Sequence, residues 1–153
     1  MHGQEIIAKW KGRADNYPDE LVVAMVRQYA QIDHFWRCQM WLSRGLNLMM
    51  LYDQFGQIEN RLLHVLLALN RQYYAGFKWL DQVVSRLEIA PHDLAESLRS
   101  FYQMPPVEAA AYRAGLVEEI YDLIELHLPA VDIAWFCEVF RYQRPTWEDI
   151  PPA

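Results

Sequence analysis

Apolar residues recur at helical spacing through most of the chain, and no stretch alternates with a period of two. Asp15-Asn16-Tyr17-Pro18-Asp19-Glu20 reads as a helix start, with Asp or Asn as cap, Pro18 in the first turn and two acids at the positive end of the helix dipole. Val22, Met25, Val26, Tyr29, Ile32, Trp36 and Met40 follow at three- and four-residue steps and predict one helix from Pro18 to about Ser43, stopped by Gly45. From Leu46 to about Gln72 apolar groups appear on more than one side (Leu51, Phe55, Ile58, Leu62, Leu63, Val65, Leu66, Leu69), the mark of a central helix covered by neighbours. The short Ser43-Arg44-Gly45 connection makes these two helices antiparallel neighbours. Gly56 inside the second costs about 1 kcal/mol of helix propensity and implies a close helix contact or a bend.

Asn70-Arg71-Gln72-Tyr73-Tyr74-Ala75-Gly76 loses the apolar repeat, and Gly76 can take the positive φ of a helix stop. Further helices are predicted over Phe77 to Leu87, Asp93 to Tyr102 and Val107 to Leu128, with a last helical segment over Asp132 to Tyr142. A short helix over Glu5 to Lys11 would carry Ile6, Ile7 and Trp10, and Pro145, Pro151 and Pro152 read as a tail. The expectation is an all-α, antiparallel bundle of about five helices in a single domain over 1–153, with an N-terminal segment 1–15, a bundle 18–142 and a Pro-rich tail 143–153.

Composition adds bounds. The chain of 153 residues is 53% apolar and 14% aromatic, long enough to bury roughly 70% of its unfolded surface and too apolar for disorder. Its net charge of −6 argues against general attraction to nucleic acid or anionic membranes. Cys38 and Cys137 are too few for a disulfide framework, no secretory leader is evident, and the run Leu46 to Leu51 is too short to cross a membrane, so a cytoplasmic setting is expected.

Gly-Lys-Ser/Thr, Gly-x-Gly-x-x-Gly, His-Glu-x-x-His, Cys-x-x-Cys and Glu-x-x-His are all absent from the sequence, so it carries none of the common nucleotide, zinc or di-iron signatures. No catalytic or metal-binding residue is assigned. Asp53, Gln57, Asn60 and His64 follow at steps of four, three and four, so they share one helix face, and Arg71 lies seven residues beyond on the same side. Two readings are open, a solvent strip and a polar binding row. As a site, the row would end at Asn70, Arg71, Tyr74 and Lys78, where Arg71 and Lys78 could meet phosphate or carboxylate. Tyr73, Tyr74, Phe77 and Trp79 suit either base stacking or packing, while His92 and His127 stand alone without ligand spacing. Glu118, Glu119, Asp122 and Glu125 form an acidic run on the predicted helix after Pro106.

Ala68-Leu69-Asn70-Arg71-Gln72-Tyr73-Tyr74-Ala75-Gly76-Phe77-Lys78-Trp79-Leu80 resembles the signature of the C-terminal helical region in a large family of uncharacterised nucleotidyltransferases of the aminoglycoside-nucleotidyltransferase type, and Asn16-Tyr17-Pro18 resembles the start of that region. The resemblance implies a substrate-binding or assembly domain that follows a catalytic domain in the same or a separate chain. Magnesium and a nucleoside triphosphate would belong to that partner, because this chain has neither Gly-Ser nor Asp-x-Asp to hold them. The family also allows a carboxylate of the helical domain, such as one of the acidic run, to act as general base. Two other classes compete. Arg27 and His34, two turns apart on one predicted helix, resemble the arginine and histidine pair of ribonucleases of the higher-eukaryote and prokaryote nucleotide-binding type. Six Trp and six Met would alternatively furnish a homodimer or docking surface.

Overall fold

The computed structural model describes residues 12, 16–43, 47–74 and 76–143, and among them it is all-α. The predicted helix over Glu5 to Lys11, the Arg44-Gly45 stop and the tail from Arg144 lie outside the described residues. Among the described residues seven α-helices follow in order: α1 Asp19–Tyr29, α2 Trp36–Ser43, α3 Leu48–Leu69, α4 Leu80–Val84, α5 Leu94–Ser100, α6 Pro106–His127 and α7 Ala134–Arg141. Single 3-10 turns at Phe77–Trp79 and Phe101–Gln103 precede α4 and follow α5.

The predicted helix Pro18 to Ser43 is two helices. Pro18 takes the N-cap position itself, and its carbonyl accepts from the amides of Leu21 and Val22 at 3.1 and 3.2 Å. The chain leaves the helix after Tyr29, and His34 adopts φ +60° before α2 begins. Breaking a helix strands its last carbonyls, and here distant side chains receive them. Arg61 of α3 donates through Nε to Gln31 O (2.9 Å) and through a terminal nitrogen to Gln28 O (3.0 Å), while Tyr121 of α6 donates its hydroxyl to Ala30 O at 2.8 Å. Ile32 and Phe35 keep the apolar rhythm through the break by burying their side chains, which is why the spacing read as continuous helix.

α3 is the helix the others surround. Leu51, Phe55, Ile58, Leu62, Leu63 and the unbroken run Val65 to Leu69 are buried, while Leu48, Met49 and Met50 of its first turn are exposed. It starts two residues later than the spacing predicted, because Asn47 caps it by accepting from the Met50 amide at 3.2 Å. α1 runs antiparallel to it, since Tyr17 and Asp19 meet Arg71 at one end whereas Gln28 and Gln31 meet Arg61 further back. α2 and α6 pack on α3 as well, and α7 is held by Phe140 against Phe35 and Tyr121, ring centroids 5.0 and 5.9 Å apart.

The end of α3 also differs from expectation. It stops at Asn70, with the amide of Arg71 bonded to Ala68 O (3.0 Å) and that of Gln72 to Leu67 O (2.8 Å), the paired bonds of a Schellman stop. The left-handed residue is Arg71, φ +55°, and Gly76, φ +87°, serves the later turn into the 3-10 segment. The Asn70 amide then clamps the next segment. Nδ2 donates to Leu66 O and Ile89 O at 2.8 and 2.7 Å, and Oδ1 accepts from the amides of Glu88 and Ile89 at 2.8 and 2.9 Å. Gly56 makes no close helix contact, and a Cβ placed there would have nothing within 4 Å.

These two positions yield opposite expectations. Asn70→Ala strands a partly buried amide at Ile89 and should lower unfolding free energy in urea by about 1–3 kcal/mol. Gly56→Ala adds helix propensity in open space and should raise it by about 0.5–1 kcal/mol. A neutral Asn70→Ala would refute the clamp, and a destabilising Gly56→Ala would refute the open space.

Candidate functional site

Both candidate sites are carried by α3, on neighbouring faces. On the first, Asp53, Gly56, Gln57, Asn60 and Arg61 form one side of an open groove whose other contributors are Tyr29 of α1 and Tyr52. Steps of three and four bring the polar side chains into register, and Gln57 Nε2 donates to Asp53 Oδ2 at 2.7 Å. Arg61 is turned toward the end of α1, with its guanidinium 6.0 Å from the Tyr29 ring centroid.

The remaining predicted residues divide. His64 continues the row beyond the groove: its ring stacks on Tyr29 (centroids 4.4 Å, interplanar angle 15°) and lies 5.0 Å from the ring of Tyr74. Its Nδ1 sits 2.7 Å from the Asn60 carbonyl, which can only accept, so Nδ1 carries the proton. Arg71 is held apart, paired with Asp19 at 2.5 Å and donating to Tyr17 O at 3.3 Å. Lys78 places its ammonium 5.4 Å from the Trp79 ring centroid and does not line the groove. With four hydrogen bonds the Asn70 side chain has both donors used and its oxygen doubly engaged, so Asn70 is a structural residue. Arg27 and His34 do not share a helix face, because α1 ends between them; the geometry required by the ribonuclease reading is therefore missing. In the acidic run, Glu118 takes two bonds from Arg141, at 2.8 and 2.5 Å, and its carboxyl is held below the usual range by them.

The second face was not singled out from sequence. Arg113 of α6 is only 1% exposed, the one charged side chain buried among the described residues. Its guanidinium sits in the corner of two edge-to-face rings whose centroids are 5.4 Å apart, 3.0 Å from the Phe101 centroid and 4.6 Å from that of Phe55, and Nε reaches Phe55 O at 3.5 Å. It forms an ion pair with Glu59, whose side chain is 17% exposed, and Tyr102 donates its hydroxyl to Glu59 Oε2 at 2.7 Å. Burial lowers Arg113 to about 10 against the pull of Glu59 and raises Tyr102 to about 12, so at neutral pH the guanidinium is charged and the phenol keeps the proton it donates. Cys38, buried nearby, is raised to about 11 by burial and is a thiol at neutral pH. Beside Glu59 and Tyr102 opens a half-enclosed cavity of about 350 Å3, walled by leucines of α3 to α6 together with Ile120. The legible signal was Arg113 itself, a charge set between Ala109 and Leu116 on an otherwise apolar stripe of α6.

Among the described residues no group of three or more His, Cys, Asp and Glu could hold a metal ion, and no helix is long and apolar enough to cross a membrane. No protein-family model, curated protein or solved structure matches the chain.

The buried pair makes an asymmetric prediction. Glu59→Gln leaves a fully buried guanidinium without its counter-charge and should cost about 3–5 kcal/mol, whereas the double variant Glu59→Gln/Arg113→Met should recover most of that loss. Urea unfolding of the two single variants and the double variant measures it; additive losses would show that the two groups do not act as a pair.

Proposed function

We propose that this chain is a helical binding domain serving a nucleotidyltransferase, holding the acceptor beside a catalytic domain that lies in the same or a separate chain. Magnesium and the nucleoside triphosphate belong to that catalytic partner. The observation that carries the reading is the groove on α3, where a carboxylate (Asp53), two amides (Gln57, Asn60) and two tyrosines (Tyr29, Tyr52) gather along one face. Such a set suits a molecule bearing hydroxyl and amino groups: the carboxylate and amide oxygens accept from it, the amide nitrogens donate to it, and the phenol rings offer flat apolar surface to a sugar ring. Asp53 forms no ion pair among the described residues, so its charge is available to an ammonium group on the acceptor. Of the residues that carry the resemblance, Asn70 serves the fold, and the binding role rests on the row N-terminal to it.

The test is an amide chemical-shift titration of the chain with an amino sugar such as kanamycin. Saturable shifts are expected at Asp53, Gln57 and Asn60, and Asp53→Asn should weaken binding about tenfold, the loss of one charge-assisted bond of about 1.5 kcal/mol. Adding magnesium and nucleoside triphosphates should release no pyrophosphate. Unmoved groove amides would overturn the binding role, and pyrophosphate release by this chain alone would overturn its dependence on a catalytic partner.

A further inference from the structure

The cavity behind Glu59 is distinct from the groove and shares only Gly56 and Asn60 with it. Its walls include Leu62, Leu66, Leu98, Leu116 and Ile120. At about 350 Å3 it is well above the roughly 150 Å3 at which a purely apolar cavity already takes benzene, and it reaches the lower range of small-molecule pockets, about 300–1,000 Å3. The wall residue most open to solvent is Tyr102, 55% exposed, which marks the mouth, and the polar groups there are Glu59, Asn60 and Tyr102 itself.

The chemistry of the mouth selects the head group. Glu59 uses one oxygen toward Tyr102 and the other toward Arg113, and a carboxylate offers about four acceptor sites, so capacity for a further donor remains. The side-chain amide of Asn60 makes no hydrogen bond among the described residues and can both donate and accept. Arg113 neutralises Glu59 and is buried against Phe55 and Phe101, while Arg61 is spent on the carbonyls of Gln28 and Gln31. Among the described residues no uncommitted cation lines the mouth for an acid, and no net negative charge for an amine. A hydroxyl fits, donating to Glu59 and accepting from Asn60.

We propose that this cavity binds an aliphatic alcohol, with the alkyl chain among the leucines and the hydroxyl between Glu59 and Asn60. Three probes with one alkyl chain, 1-octanol, octylamine and octanoate, separate the head groups in titrations followed by leucine methyl resonances. 1-Octanol is expected to shift Leu62, Leu66, Leu98 and Leu116 saturably, with octylamine weaker and octanoate weaker by at least tenfold. Leu98→Phe fills the cavity and should abolish the shifts at Leu62, Leu66 and Leu116 while leaving the kanamycin titration of the Asp53 and Gln57 amides, which the cavity does not share, unchanged, so this site can fail without the groove and the groove without it. Glu59→Gln/Arg113→Met keeps the leucine walls and removes the charged pair at the mouth, and should bring octanoate to within about threefold of 1-octanol. Octanoate binding as tightly as 1-octanol to the parent chain, methyl resonances unmoved by all three probes, or a head-group preference untouched in the double variant would each overturn the proposal.

Discussion

Arg113 imposes the tightest constraint on this molecule. A guanidinium taken out of water costs several kcal/mol unless its charge is met. Here Glu59 meets the charge at a terminal nitrogen, in an ion pair whose geometry is not that of a hydrogen bond. Glu59 and the Phe55 carbonyl come from α3, and the ring of Phe101 comes from the 3-10 turn after α5. The pairing fixes the position of α6 along α3. It also places the Phe101–Gln103 turn, because Phe101 must cover the guanidinium and Tyr102 then falls within reach of Glu59. The cavity opens beside that arrangement, walled by leucines of α3 to α6 with Tyr102 at its edge.

A second polar obligation shapes the other side of α3. By ending at Tyr29 instead of running on, α1 lets the chain turn through His34 into α2, which packs against both α3 and α6. The carbonyls exposed by that break go to Arg61 and Tyr121, so one side chain from the central helix and one from α6 hold the corner. Burial pushes the Tyr121 hydroxyl up, which keeps its proton available as a donor. Arg61 also closes the end of the groove lined by Asp53, Gln57 and Asn60, so the corner that allows α2 to form is continuous with the candidate binding surface.

Helical class, the buried stripe of α3 and the polar row were legible because each is periodic over neighbouring positions, and periodicity is local information. Leu62, Leu66 and Leu69 are buried as their spacing required, and Asp53, Gln57 and Asn60 share a face as their spacing required. What stayed hidden depends on partners far along the chain. The break after Tyr29 is tolerated by side chains 30 to 91 positions away, and Arg113 reaches a carbonyl 58 positions away. Asn70 is ambiguous for a different reason: a polar residue at a helix end reads equally as ligand binder or as stop, and its bonds to Leu66, Glu88 and Ile89 give it the structural role. Charged residues on apolar stripes, such as Arg113, are the one class of clue that could have drawn attention to the second site beforehand.

The central claim, that a charged arginine packed against two mutually perpendicular aromatic rings organises α3, α6 and the turn after α5, is open to direct observation in the arginine side-chain region of a proton–nitrogen correlation spectrum. The account predicts one guanidinium Hε resonance shifted strongly upfield by the rings of Phe55 and Phe101, slow to exchange with water at neutral pH, and lost from that position in Phe101→Leu. A spectrum in which every arginine Hε lies at its unstructured position and exchanges rapidly would contradict it.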